Sequence, residues 1–242
     1  KLSKELKKIT GSKYILLTSS GTSALFCALK EIDVNNHEVI VPSMTFVATA
    51  NSVLYAGGSP VFIDNSDINL NIDDKRMEQY LYDNYKLING KCVNKKNNKI
   101  MKCIIAVHAY GVPANISAIC SIAKKYKIEV IEDAAGALGS YISNKHVGTF
   151  GDIGTFSFFP GKNIGAFGDA GCIITNDKKI YNYCRRISNH GALNKYDHKF
   201  SGRNSRMDVF NATVLIEKIK KYKFVIKKKN LIAKYYNKKL RK

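Results

Sequence analysis

KCIIAVHAYGVPANISAICSIAKKYKIEVIED (102–133) is the stretch whose reading decides the fold. It opens on an apolar, β-branched run and turns at Gly111 and Pro113. Over 115–127 it places Ile116, Ile119, Cys120 and Ala123 at i, i+3, i+4 and i+7. That spacing is the period of a helix with one buried stripe. A second apolar run, 128–133, follows and ends in Glu132 and Asp133. Strand, helix and strand in this order predict a parallel crossover with the helix packed on one sheet face. The alternation continues in both directions. Strand-like runs lie at 13–19, 38–43, 60–65, 154–158 and 171–176, and the helix-like stretch 19–32 carries Leu25, Phe26 and Leu29 on one face. The expectation is an α/β protein with a largely parallel sheet covered on both faces, its ligands at the carboxyl ends of the strands.

The chain of 242 residues is 45% apolar and 24% charged, which describes a globular protein of one large or two small domains. No run of about 18 apolar residues occurs, so no membrane span is expected. The opening KLSKELKKIT is basic and amphipathic and lacks the apolar block of a signal peptide. Six cysteines form no C-x-x-C pair and several sit inside apolar runs. Reduced thiols in a cytoplasmic protein, with no metal site, are the reading. The net charge of +20 comes from lysines spread along the whole chain and thickest after residue 216. No nucleic-acid motif accompanies them, so they read as solvated faces that also attract small anions. The Asn/Lys-rich segment 84–102 reads as a surface loop or small hairpin, and from Asn211 the pattern turns helical and basic.

Three segments carry chemistry. In SSGTSAL (19–25) a strand runs into Ser-Ser-Gly-Thr and then a helix. Free amides at a helix start, beside hydroxyls, suit a phosphate, although serine and threonine also simply cap helices. In VIEDAAGALGS (130–140) an apolar strand ends in two carboxylates. A carboxylate there is a helix cap, or it points into the ligand crevice and holds a ring nitrogen protonated. In SFFPGKNIGAFGDAG (157–171) Lys162 stands among Gly161, Gly165, Gly168 and Gly171. It is a solvated loop lysine, or an amine that does chemistry after desolvation or a nearby cation has lowered its pKa. Phosphate anchor, strand-end aspartate and loop lysine together are the parts of a pyridoxal 5'-phosphate (PLP) site. The glycine spacing is not a dinucleotide fingerprint, because no nucleotide-binding βαβ start surrounds it.

With these segments, the blocks EVIVPSMTFVATANSVLYAGGSPVFID, VHAYGVPANI, VGTFGDIGTFSFFPGKNIGAFGDAGCIITND, RISNHGALNKYDH and GRNSRMD occur in an order that resembles the DegT/DnrJ/EryC1/StrS family of sugar-nucleotide aminotransferases. The resemblance covers nearly the whole chain. It implies a three-layer α/β/α large domain of the aspartate aminotransferase-like PLP-dependent transferase fold, with a mostly parallel seven-stranded sheet. It implies that 1–215 is the PLP-binding large domain, with an incomplete N-terminal segment. Residues 216–242 would then be the basic helical start of an otherwise missing C-terminal small domain.

The resemblance also implies roles. Lys162 would bond covalently to the cofactor and later shuttle a proton between substrate and cofactor. Asp133 would pair with the pyridine nitrogen, and Phe46 would stack on the ring. Gly21, Thr22 and Ser157 would hold the phosphate. Asn204 would reach the phosphate from a neighbouring subunit, which implies a homodimer with shared active sites. Arg206 matches a family arginine that makes either an ion pair or a ligand contact. His108 stands at a strand end near the site, as a substrate contact or a structural histidine. The implied reaction moves an amino group from L-glutamate to a 3- or 4-keto group of a nucleotide-linked deoxysugar, for bacterial polysaccharide or amino-sugar biosynthesis. Lys162 argues against the branch that replaces the lysine with histidine and dehydrates. Two positions depart from the family pattern: Gly136 stands where a polar residue usually contacts the cofactor's ring hydroxyl, and Asn211 where a glutamine is usual. Gly136 and the missing domain also motivate an alternative, a catalytically silent PLP-binding or regulatory member.

Overall fold

The computed structural model describes residues 1–240. Its main sheet is built from seven strands: β1 (Tyr14–Thr18), β2 (Glu38–Pro42), β3 (Ser59–Ile63), β6 (Met101–Val107), β7 (Glu129–Asp133), β10 (Ile153–Ser157) and β11 (Gly171–Thr175). Two small hairpins, β4 (Tyr85–Ile88) with β5 (Lys91–Asn94) and β8 (Tyr141–Ile142) with β9 (Lys145–His146), fall between them in chain order. The helices are α1 (Leu2–Thr10), α2 (Gly21–Ile32), α3 (Ala48–Tyr55), α4 (Asp74–Asn84), α5 (Ile116–Tyr126), α6 (Lys178–Ile187), α7 (Val209–Lys220) and α8 (Tyr222–Leu240).

The main sheet has the order β1-β11-β10-β7-β6-β2-β3. Strand β11 runs antiparallel to both its neighbours, and the other pairs are parallel. Each of the seven strand-like runs of the sequence is one of these strands. Successive side chains of the central strands feed opposite layers. Val39, Val41, Cys103, Ile105 and Ile131 pack with Leu25, Leu29 and Ile32 of α2, Val53 of α3 and Ile187 of α6. Ile40, Ile104, Ala106 and Val130 pack on the other side with Met77 and Leu81 of α4 and Ile116 and Ile119 of α5. A third cluster joins Leu2 and Leu6 of α1 to Phe156, Ile174 and Leu215. The result is the expected three-layer α/β/α arrangement.

The 84–102 segment is a hairpin turned at Asn89-Gly90, both at positive φ, as its sequence allows. It is tied to the sheet through buried Glu38, which accepts from Tyr85 Oη at 2.7 Å, Asn94 Nδ2 at 3.1 Å and Asn97 Nδ2 at 2.9 Å. The expected domain boundary at 215/216 falls inside α7, which is one continuous helix. The change in burial comes later: in α8 only Tyr222 is buried, and the helix then runs exposed. Residues 241–242 of that segment lie outside the described residues.

Candidate active site

Parallel pairing brings Val107, Asp133 and Thr155 side by side at the carboxyl edge of the sheet. On β7 the neighbours Glu132 and Asp133 point to opposite faces. Asp133 Oδ2 accepts from Thr49 Oγ1 at 2.9 Å and Oδ1 from the Ala135 N–H at 3.2 Å. Thr49 in turn shares a hydrogen bond of 2.9 Å with Thr45. Burial pushes the Asp133 carboxyl above the usual carboxylate range, opposed by the Thr49 hydroxyl, the Ala135 amide, and the His108 and Lys162 side chains. Two neutral donors leave a buried carboxyl short of a cation. A protonated ring nitrogen is the kind of group that completes it.

The turn from β1 into α2 is capped by Ser20, whose Oγ accepts from the Ser23 N–H at 3.0 Å. The N–H groups of Gly21 and Thr22 find no protein acceptor among the described residues. They form the open, electropositive end of a twelve-residue helix. Ser157, the last residue of β10, lies against this turn so closely that a Cβ at Gly21 would stand 2.9 Å from the Ser157 Cβ. The two positions expected to share a phosphate are thus adjacent, and glycine is what permits the approach.

Lys162 sits in a tight loop between β10 and β11. Its N–H donates to Phe159 O at 2.9 Å, and the Ala166 N–H donates to Phe158 O at 2.7 Å. A side chain at Gly165 would drive a Cβ into the Pro160 carbonyl. The loop is braced from outside. Asn163 Nδ2 donates to Leu138 O at 2.9 Å and its Oδ1 accepts from Lys229 at 3.0 Å. Lys218 donates to Gly165 O at 2.6 Å, and Asn211 Oδ1 accepts from the Phe167 N–H at 3.1 Å. Asn211 therefore does structural work at the position where the sequence departs from the family's glutamine.

Lys162, Asp133, Ala135 and Phe46 are walls common to two cavities. One, of about 380 Å³, includes Ser20, Gly21, Thr22, Ser157 and Asp169. The other, of about 410 Å³, includes Met44, Tyr110 and Gly136. Phe46 is 78% exposed and free to cover a flat ring. The structure thus gathers Gly21, Thr22, Phe46, Asp133, Ser157 and Lys162 into one crevice. Gly136 lines it too, and a Cβ there would meet nothing nearer than the Gly111 nitrogen at 3.8 Å. The backbone does not demand glycine at that position.

Three other residues stand differently. Of its two expected places, a substrate contact or a structural histidine, His108 stands in the cavity wall with its ring buried and bonded as a structural histidine's is. Its side chain has no exposed surface and its bonds are used internally. Nδ1 accepts from the Ala114 N–H at 3.0 Å, so the proton sits on Nε2, which donates to Glu132 Oε2 at 2.9 Å. Only its backbone can reach the cavity. Glu132 accepts three further N–H bonds, from Gly148 at 2.7 Å, Phe150 at 2.6 Å and Gly151 at 2.7 Å. Asn204 and Arg206 line neither cavity. They are exposed and bonded to each other, Arg206 Nε to Asn204 Oδ1 at 3.1 Å, and Arg206 also donates to Asn189 Oδ1 at 2.9 Å. Arg206 makes an isolated antiparallel bridge to Thr18, just before the Ser20 turn, and Asn204 one to Asn189. Thr49, the partner of Asp133, was not singled out from sequence. Its one signal is its place four residues after Thr45 in the PSMTFVATA block.

This geometry has known counterparts. The sequence profile of the DegT/DnrJ/EryC1/StrS aminotransferase family matches residues 1–242. The chain is 40% identical over 215 residues to a UDP-N-acetyl-3-dehydro-alpha-D-glucosamine 3-aminotransferase of Acidithiobacillus ferrooxidans, covering 88% of this chain and 54% of that protein. It is 37% identical over 216 residues to a pleiotropic regulatory protein of Geobacillus stearothermophilus, covering 89% of this chain and 54% of that protein. The crystal structure of NtdA from Bacillus subtilis, with bound cofactor PMP, superposes with a TM-score of 0.79 at 33% identity, covering 90% of this chain and 47% of that one. The chain spans about half the length of the curated relatives it matches. With the sheet order, the lysine loop and the strand-end aspartate in place, the match over all 242 residues places the chain in the DegT/DnrJ/EryC1/StrS aminotransferase family.

Proposed function

We propose that this chain is the cofactor-binding part of a PLP-dependent aminotransferase. It moves an amino group from an amino-acid donor, L-glutamate, to a 3- or 4-keto group of a nucleotide-linked deoxysugar in bacterial polysaccharide or amino-sugar biosynthesis. The observation that carries the reading is the shared crevice, in which a loop lysine, a cation-seeking aspartate and an open helix end occupy one space.

Each residue then has a task. The Gly21 and Thr22 amides and the Ser157 hydroxyl bind the phosphate. Asp133 holds the proton on the pyridine nitrogen, and Thr49 orients Asp133. Phe46 covers one ring face and excludes water from it. Lys162 Nζ would hold the group through its aldehyde and, when free, would take and return the proton at the substrate carbon. When bound, PLP supplies the electron sink that makes this proton transfer feasible. Asn204 and Arg206 face outward beside the phosphate turn, which suits a homodimer in which Asn204 completes the partner's phosphate site. No helix among the described residues is long and apolar enough to cross a membrane. A cytoplasmic enzyme, acting on small molecules rather than on nucleic acid or a membrane, fits this reading.

The likeness to the pleiotropic regulatory protein of Geobacillus stearothermophilus and the glycine at 136 favour a second reading, a PLP-binding regulator that does not turn over. One experiment separates the two. L-glutamate is added to the PLP-loaded full-length protein and cofactor absorbance is followed. A shift from the aldehyde to the amine form, with release of 2-oxoglutarate, supports the enzyme. Bound cofactor with no shift supports the regulator.

A further inference from the structure

Tyr110 stands apart from every other aromatic side chain at the crevice. Its backbone is left-handed, φ 53°, a region in which a bulky residue is an outlier. The residue is 87% exposed. At that exposure the ring adds little to the core.

The turn that carries Tyr110 is nevertheless fixed by several bonds. Buried Asn71 accepts from the Ala109 N–H at 2.8 Å and donates to Val112 O at 3.2 Å. His108 Nδ1 takes the Ala114 N–H at 3.0 Å, and the Glu132 carboxylate fixes that imidazole from the other side. Ser140 Oγ donates to Gly111 O at 2.7 Å. Buried groups thus hold an exposed tyrosine in a conformation that glycine or asparagine adopts more readily. Such strain, where the surroundings impose it at a cavity wall, points to ligand contact; Tyr196, at φ 64° and nearly as exposed, lines neither cavity.

Position says which ligand. Tyr110 and Lys162 line the same cavity of about 410 Å³, while the phosphate turn lines the other. A substrate whose carbonyl carbon must reach Lys162 brings the atoms next to that carbon, its own ring, within reach of Tyr110. We propose that Tyr110 is a specificity-determining platform against which the C–H face of the substrate's sugar ring packs. This rests on the nucleotide-sugar reading above. It also gives the buried Glu132–His108 pair a use: it positions the platform.

The test is calorimetric binding to the PLP-loaded full-length protein. The probes are UDP-N-acetylglucosamine, GDP-mannose and dTDP-glucose, each beside its bare nucleoside diphosphate. Tyr110→Asn keeps a residue that accepts the left-handed turn, and Tyr110→Phe keeps the ring. For the nucleotide sugar that binds the parent, Y110N is expected to bind roughly 3- to 10-fold more weakly. Y110F is expected to match the parent, and the bare diphosphate to bind all three proteins alike. Equal binding of the nucleotide sugar by Y110N overturns the proposal. So does an equal loss for the bare diphosphate, which would put the platform under the base. A change of oligomeric state or a large fall in melting temperature in Y110N would make the ring structural, and also overturns it. If no nucleotide sugar binds the parent, the substrate reading itself fails and the platform falls with it.

Discussion

Replacing Thr49 with valine changes almost no volume but removes the hydroxyl, and with it the bond shared with Thr45 and one bond to a buried carboxyl. The latter is the 2.9 Å contact to Asp133 Oδ2, one of only two that the buried carboxyl accepts. Burial already pushes Asp133 above the usual carboxylate range, and the Thr49 hydroxyl is the largest of the opposing influences. The folded pKa therefore lies above the unfolded one. For an acid shifted in that direction, the native state holds the proton longer, so stability falls as pH rises from the unfolded value through the folded one. Thr49→Val raises the folded pKa further and deepens that fall. At pH 8 the variant should lose about 1.5–3 kcal/mol, the range for a buried hydrogen bond to a charged group. At pH 5, closer to the raised value, a larger share of Asp133 carries a proton and the loss should be smaller than at pH 8. Urea titrations of the cofactor-free protein at both pH values read this directly. With a slope of about 2 kcal/mol/M, 2 kcal/mol moves the midpoint by about 1 M. Thr49→Ser should restore most of it. A penalty that is the same at both pH values, or larger at pH 5, would refute the reasoning.

Three further outcomes follow from the geometry. Glu132→Gln puts an amide NH2 against two N–H donors whichever way it is turned, since Oε1 accepts from Phe150 and Gly151 and Oε2 from His108 and Gly148. Its stability in urea should drop by about 3 kcal/mol or more, and a drop under about 1 kcal/mol would show that the cage is not needed. Gly165→Ala forces a Cβ into the Pro160 carbonyl and should displace the lysine loop. Reduced PLP retention after dialysis checks this, and full retention contradicts it. Gly136→Gln puts its Cβ at an ordinary 3.8 Å contact with the Gly111 nitrogen, so it should fold with a melting temperature within a few degrees of the parent and release PLP more slowly. Faster release would show that Gly136 is itself required.

Much of this was legible before any coordinates, because the chemistry stands at strand ends. Asp133, Ser157 and the Ser19–Thr22 turn each close or follow a short apolar run, and such runs are the strongest signal an α/β sequence carries. The lysine loop was legible through its glycines. Less legible was which member of a pair does what. Glu132 and Asp133 are adjacent carboxylates, and only the side of the sheet separates a core anchor from a cofactor contact. His108 stands at the correct strand end, yet its ring turns inward to Glu132. Thr49 meets Asp133 across 84 positions of sequence, a pairing no local pattern reports. Helices α4 and α6 are mostly polar and bury only Met77 and Leu81, and Cys184 and Ile187, so no apolar run marks them, although Asp73 and Asp177 cap them. Lys218 and Lys229 brace the lysine loop but look like any other lysine of a basic tract.

The central claim is that Lys162 is the lysine that holds the cofactor, and borohydride trapping tests it most directly. The protein is incubated with PLP, reduced and digested, and phosphopyridoxyl-lysine is mapped by mass spectrometry. The adduct should concentrate on Lys162, despite the many competing lysines, and disappear from that peptide in Lys162→Ala. Adducts scattered over surface lysines, with Lys162 unmarked in the folded protein, would contradict the account.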